Sequence, residues 1–178
     1  MRSLSNTGSV YGPLSKFFHW VIAVLVILML SITYFLDDLP NQALKGLAFN
    51  IHKLTGLTIL ALMVLRLSWT LCNRKPSLPH TALWERCAEQ LVHWSFYLLL
   101  FLMPLAGWIG SVAGGRPPRL GNYSLNLPLA KNEHLSNLSF SVHNTVAIII
   151  ITLISLHVLA ALFHHFIKKD SVLRRMLP

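Results

Sequence analysis

The chain has 178 residues, room for one domain, and 54% of them are hydrophobic against 12% charged; a soluble domain carries about 25% charged side chains. The net charge of +9 invites nucleic acid, but the basic residues sit at the two ends and in short connectors beside apolar runs. That is the charge pattern of a membrane protein, and no nucleic-acid partner is expected. Cys72 and Cys87 form neither CxxC nor CxxCH, which supports neither a zinc knuckle nor covalent haem attachment.

Four windows are long enough to cross a bilayer, for which about 20 apolar residues suffice. The first, 17–36, carries His19 near its start and is followed by Asp37, Asp38 and Pro40. No small-residue cleavage site follows it, so the window is expected to be retained as a span. The second, 51–71, opens on His52 and includes Lys53 and Arg66. The third, 90–113, contains His93, Pro104 and Gly107, and the proline predicts a kink whose freed carbonyls neighbours must satisfy. A long connector, about 114–141, includes the turn-rich GGRPPRLGNY and is expected to be an outer loop capping the bundle. The fourth window, 142–167, holds His143, His157, His164 and His165. Helices are the open-ended way to satisfy a backbone in lipid, so the expected fold is all-α, a single-domain four-helix transmembrane bundle.

The basic residues also orient it. The side shared by both termini and the second connector carries Arg2, Lys16, Arg74, Lys75, Arg86, Lys168, Lys169, Arg174 and Arg175. The other side carries Lys45, Lys53, Arg116, Arg119 and Lys131. The richer side is expected to be cytoplasmic by the positive-inside rule, which places both termini on the cytoplasmic side.

Ionisable residues within spans are functional candidates by default. His143 and His157 are 14 residues apart, which brings them within about 40° of one helix face and roughly 21 Å apart along it. The second span enters from outside with His52 at the depth of His143. The first enters from inside with His19 toward the depth of His157. Two cross-helix pairs follow, His52 with His143 and His19 with His157. Zinc wants four ligands, and copper usually recruits sulfur, which these depths do not offer. Two imidazoles on opposing helices can instead ligate haem iron from both faces, and bundle cores are common places for such a cofactor. Gly56 and Gly107 can admit a flat macrocycle, or can simply let helices pack closely. Arg66, 14 residues after His52, can fork onto a haem propionate or snorkel to the inner surface, and Lys53 is a further propionate or packing candidate.

The segments FHW (18–20), NIHKLTGL (50–57), VLRL (64–67), VHNTVA (142–147) and LHVLAALFHHFIKKDSVLRRMLP (156–178) together resemble the bacterial cytochrome b561 family. His93 and Tyr97 form an HxxxY that also looks familial. The resemblance implies two non-covalent haems b, with His19, His52, His143 and His157 as axial ligands, and a role in electron transfer. An electron would enter at the outer level, pass to the inner, and leave to a membrane quinone, ubiquinone for example. Arg116 and Arg119 belong to a basic outer rim that can steer a periplasmic donor, a protein or a small anion such as superoxide. The activity would then be that of a superoxide:quinone oxidoreductase. His164, His165 and His93 are the residues expected near the quinone, since histidine titrates near neutrality. Two rival readings remain at this stage. One is a haem b anchor subunit serving a partner dehydrogenase or hydrogenase; the other is a histidine-relay transporter of protons or metal ions.

Overall fold

The computed structural model describes residues 5–6, 10–36, 38–73, 76 and 82–177. Arg2, Asp37, Arg74 and Lys75, which entered the reading of topology, lie outside the described residues. Four long helices carry the fold: α1 (Pro13–Leu36), α2 (Gln42–Cys72), α3 (Leu83–Ala113) and α4 (Glu133–Phe163). All four are long and apolar enough to span a membrane. The chain is an all-α membrane bundle.

Its surface is written for lipid. Leu98 and Ile148 are each 67% exposed and Phe166 64%, an arrangement that water would punish and hydrocarbon accepts. The buried apolar cluster lies at mid-bundle: Phe18, Ile22 and Val26 of α1, Ile59 and Met63 of α2, Leu100 of α3, and Val146 and Ile150 of α4. On each histidine-bearing helix this cluster falls between the two histidine levels or beside them. The helices α2, α3 and α4 have 31 residues each, about 46 Å at 1.5 Å per residue, against roughly 30 Å of hydrocarbon. Their ends therefore stand in the interfacial layers, where polar residues are tolerated.

Close backbone packing follows chain order, α1 along α2, α2 along α3 and α3 along α4. The pairs α1–α4 and α2–α4 do not pack this way. The α3–α4 seam is made by small residues. A side chain at Gly110 would meet Ser139 Cβ at 3.1 Å, one at Gly114 would meet Ser136 Oγ at 2.9 Å, and Ser136 Oγ donates to the Gly110 carbonyl at 2.9 Å. Membrane helices approach closely through such residues.

Two expectations are corrected. The outer loop is shorter than 114–141, because α4 begins at Glu133. The carboxamide of Asn132 accepts from the Leu135 N–H at 2.9 Å and caps the helix, and Glu133 sits where the dipole favours a carboxylate. This polar first part of α4 needs no lipid, so hydropathy misses it. The remaining loop holds a two-stranded hairpin, β1 (Arg119–Leu120) and β2 (Tyr123–Ser124), with Arg119 opposite Ser124. Its turn uses Gly121 at φ 59°, which glycine adopts without steric cost. The fourth window also does not stay α-helical to its end. A π turn spans His164–Lys168, and Lys169 then adopts a left-handed φ of 55°. α3 runs through Pro104 without ending.

Candidate functional site

At the outer level, the rings of His52 on α2 and His143 on α4 lie with centroids 6.2 Å apart and planes inclined at 64°. Helix α4 places His143 against α3, where its Nδ1 donates to the Met103 carbonyl at 2.8 Å. That bond fixes the tautomer and leaves Nε2 as the free lone pair. Gly107 makes room for the ring: a side chain there would come within 3.0 Å of His143 Nδ1. Its missing side chain thus serves the imidazole directly. At Gly56 a side chain would meet only Pro104 Cβ at 3.9 Å, an ordinary contact. Nδ1 of His52 is buried without a hydrogen-bond partner, which costs free energy unless something else compensates. Both histidines, both glycines, Lys53 and Arg116 line one cavity of about 1340 Å³.

At the inner level, the rings of His19 on α1 and His157 on α4 lie 6.3 Å apart. The surroundings differ from the outer pair. His157 is also 6.0 Å from the ring of His93 and 5.6 Å from that of Phe96, both on α3. Trp20 packs edge-on to His19 at 5.3 Å. Arg66 of α2 reaches this level too, its Nη2 donating to His19 Nδ1 at 3.4 Å and its guanidinium 5.9 Å from the Tyr97 ring. Tyr97 is in turn tied to Thr70 at 2.9 Å. The HxxxY pair thus divides its work: His93 borders the inner histidines and Tyr97 holds Arg66. A half-buried guanidinium within the bundle favours an anionic partner, and a propionate would satisfy it bidentately.

Both pairs can be tested against iron porphyrin. A metal ion ligated by one imidazole nitrogen from each side, at about 2 Å each, spaces the two ring centres by roughly 6 Å. The observed 6.2 Å and 6.3 Å match that requirement. At the outer level the cavity gives a planar macrocycle somewhere to lie, and in neither pair do the two histidine-bearing helices, α2 with α4 or α1 with α4, pack closely on each other. Among the described residues no cluster of three or more His, Cys, Asp or Glu could hold a metal ion. The donor sets are therefore pairs, suited to a metal that brings its own equatorial ligands.

Each level has a cap. Outside, Asn50 and Lys53 of α2 bracket His52 and hold the hairpin loop: Asn50 bonds the N–H and the carbonyl of Arg119, each at 2.8 Å, and Lys53 donates to the Arg116 carbonyl at 2.8 Å. Inside, Lys16 and Trp20 of α1 bracket His19 and hold the C-terminal tail through the carbonyls of Leu177 and Met176. Lys168 of the π turn pairs with Glu85 of α3, and His164 Nδ1 pairs with Asp170 at 2.5 Å. Burial alone would raise the Asp170 carboxyl, but His164 and the Val172 N–H hold it below the usual carboxylate range. Tyr11 lies where these charges converge: burial and Glu89 push its hydroxyl up, while Arg175 and Arg66 pull it down. Nδ1 of His165 is buried without a hydrogen-bond partner.

Sequence reasoning brought the four histidines together and did not find Asn50, Trp20, Thr70 or the Met103 carbonyl. The first two adjoin histidines in the motifs NIH and FHW, and adjacency to a candidate ligand was the available signal. The backbone acceptor has no sequence signal.

The chain matches the family model described as prokaryotic cytochrome b561 over residues 10–178. It is 31% identical to "Cytochrome b561 homolog 2" of Escherichia coli (strain K12), over 98% of this chain and 95% of that protein. It is 30% identical to "Cytochrome b561 homolog 1" of the same organism, over 91% and 93%. It is 29% identical to the "Probable superoxide oxidase CybB" of Yersinia pestis, over 94% and 96%.

Proposed function

Because the chain belongs to the prokaryotic cytochrome b561 family, a family of bacterial membrane proteins that transfer electrons with b-type haem, we propose that it takes electrons from superoxide on the outer face and delivers them to quinone in the bilayer. Superoxide as donor is suggested by the relative named a probable superoxide oxidase and by the outer arginines. The histidine-relay transporter is set aside, since the family carries electrons.

In this reading the protein holds two haems b, one between His52 and His143 and one between His19 and His157. The observation that carries it is the two cross-helix pairs of imidazoles, with centroids 6.2 Å and 6.3 Å apart, on helices that do not pack closely on each other. When bound, haem iron supplies a one-electron store at each level. The residues do the rest. His143 offers Nε2 because Met103 holds the proton on Nδ1. The buried apolar cluster excludes water between the levels, so protons do not follow electrons there. Arg66 offers a guanidinium to a propionate of the inner haem. Both termini lie on the cytoplasmic side of the inner membrane, as the basic residues direct.

Two superoxide anions each give up one electron and leave as dioxygen; one quinone takes both electrons and two protons to become quinol. The inner end must supply those protons. His164 is the residue suited to it: Asp170 holds its Nδ1–H, and in the imidazolium form Nε2 carries the second proton, the one that can be given up. The test is reconstitution in liposomes containing ubiquinone, with superoxide added outside. Dioxygen and ubiquinol should appear in a 2:1 ratio, and His164→Ala should slow ubiquinol formation on the order of 100-fold with the haem spectrum intact. A preparation that dithionite reduces but superoxide does not would defeat the donor assignment.

A further inference from the structure

We propose that Asn50, with Lys53, is a positioning residue that sets the two outer arginines over the mouth of the outer cavity. The inference rests on the reading that a small anion delivers electrons there.

The contact is unusual in form. β1 is a two-residue strand with β2 on one edge. On its other edge stands the carboxamide of Asn50, whose Oδ1 accepts from the Arg119 N–H and whose Nδ2 donates to the Arg119 carbonyl, both at 2.8 Å. A carboxamide is a donor and an acceptor side by side, so Asn50 acts as one further residue of sheet and closes the edge. Neither aspartate nor lysine could make both bonds.

Arg116 is tied just as fully through its backbone. Its N–H donates to the Ser111 carbonyl at 2.8 Å, and its own carbonyl accepts from Ser111 Oγ and Lys53 Nζ. Both arginines are exposed, so their backbones are fixed while their guanidinium groups remain in water. Fixed charge at a cavity mouth focuses the field and raises the encounter rate with an anion. Asn50 and Lys53 lie on the turn of α2 that carries His52, so the loop is registered to the imidazole at which electrons would arrive. A loop without these ties would average the positive field over a wider volume.

The test uses the full-length haem-loaded protein and two readouts. Trypsin cleaves after Arg119 but not at the Arg116–Pro117 bond, so the Arg119–Leu120 bond reports directly on the clamp. Asn50→Ala should speed cleavage there about tenfold, and Asn50→Asp, which keeps only the acceptor, should fall between. Lys53→Met loosens the second tether and serves if Asn50→Ala does not fold. The other readout is the stopped-flow rate of reduction by superoxide at several ionic strengths. Asn50→Ala should lower it about fivefold and flatten its salt dependence toward that of Arg116→Ala/Arg119→Ala. Unchanged cleavage in Asn50→Ala and Lys53→Met overturns the clamp. Faster cleavage with an unchanged superoxide rate overturns the positioning role. If Arg116→Ala/Arg119→Ala itself leaves the rate unchanged, the anionic-donor reading fails, and with it the need for positioning, while the trypsin readout still decides the clamp.

Discussion

The two ends of the bundle share a plan and differ in how charge is displayed. In each, one turn of helix carries a histidine and the side chains that tie down a covering segment: Asn50 and Lys53 around His52 outside, Lys16 and Trp20 around His19 inside. Outside, the tied segment leaves its arginines exposed over an open cavity. Inside, Arg66 is drawn down among aromatic rings, Arg175 is 7% exposed, and the tail folds over them. Exposed cations attract a charged solute from water, whereas the inner ones are held among protein side chains. The two ends thus differ in whether their cations are displayed to water or folded in.

The largest effect expected from breaking this comparison is at Gly107. Gly107→Val should drive into the His143 ring and cost about 1–3 kcal/mol or the outer haem altogether, while Gly56→Ala should leave both haems bound; the reduced spectrum and the haem content of each variant decide it. Next comes Arg66. Arg66→Leu should weaken the inner haem about tenfold, the loss of a charge-assisted bond, and lower the potential of that haem alone, with Arg66→Lys recovering part of both. A redox titration that moved the outer potential instead would place Arg66 wrongly. The smallest effect concerns the tail. Asp170 is held below the usual carboxylate range by His164, so its contribution is present above that range and is lost as pH falls through the depressed value. Hydrogen exchange in residues 170–177 should therefore stay slow through mildly acid conditions and rise only below the usual carboxylate range; Asp170→Asn should show raised exchange at neutral pH.

Much of this was legible in the residues. Four apolar windows of spanning length gave the bundle, since helices are the open-ended way to satisfy a backbone in lipid. Depth matching gave the histidine pairs, because a helix advances a fixed distance per residue and spans alternate in direction. What escaped was anything resting on hydrogen bonds in water. The beginning of α4 at Glu133 depends on the Asn132 cap, the hairpin depends on Asn50, and the π turn ends α4 within a run that hydropathy reads as continuous. The roles of Gly107 and Gly56 could not be separated by residue type either. Only the distance from each to its neighbour across α3, α4 and α2 tells that Gly107 clears the His143 ring and Gly56 clears little.

Haem counted per polypeptide, in the wild-type chain and in two single variants, tests the account most directly. The wild-type protein should bind two haems b, and His52→Ala and His157→Ala should each keep one, with the surviving haems differing in midpoint potential. A wild-type chain with fewer than two, or either variant with both, would contradict it.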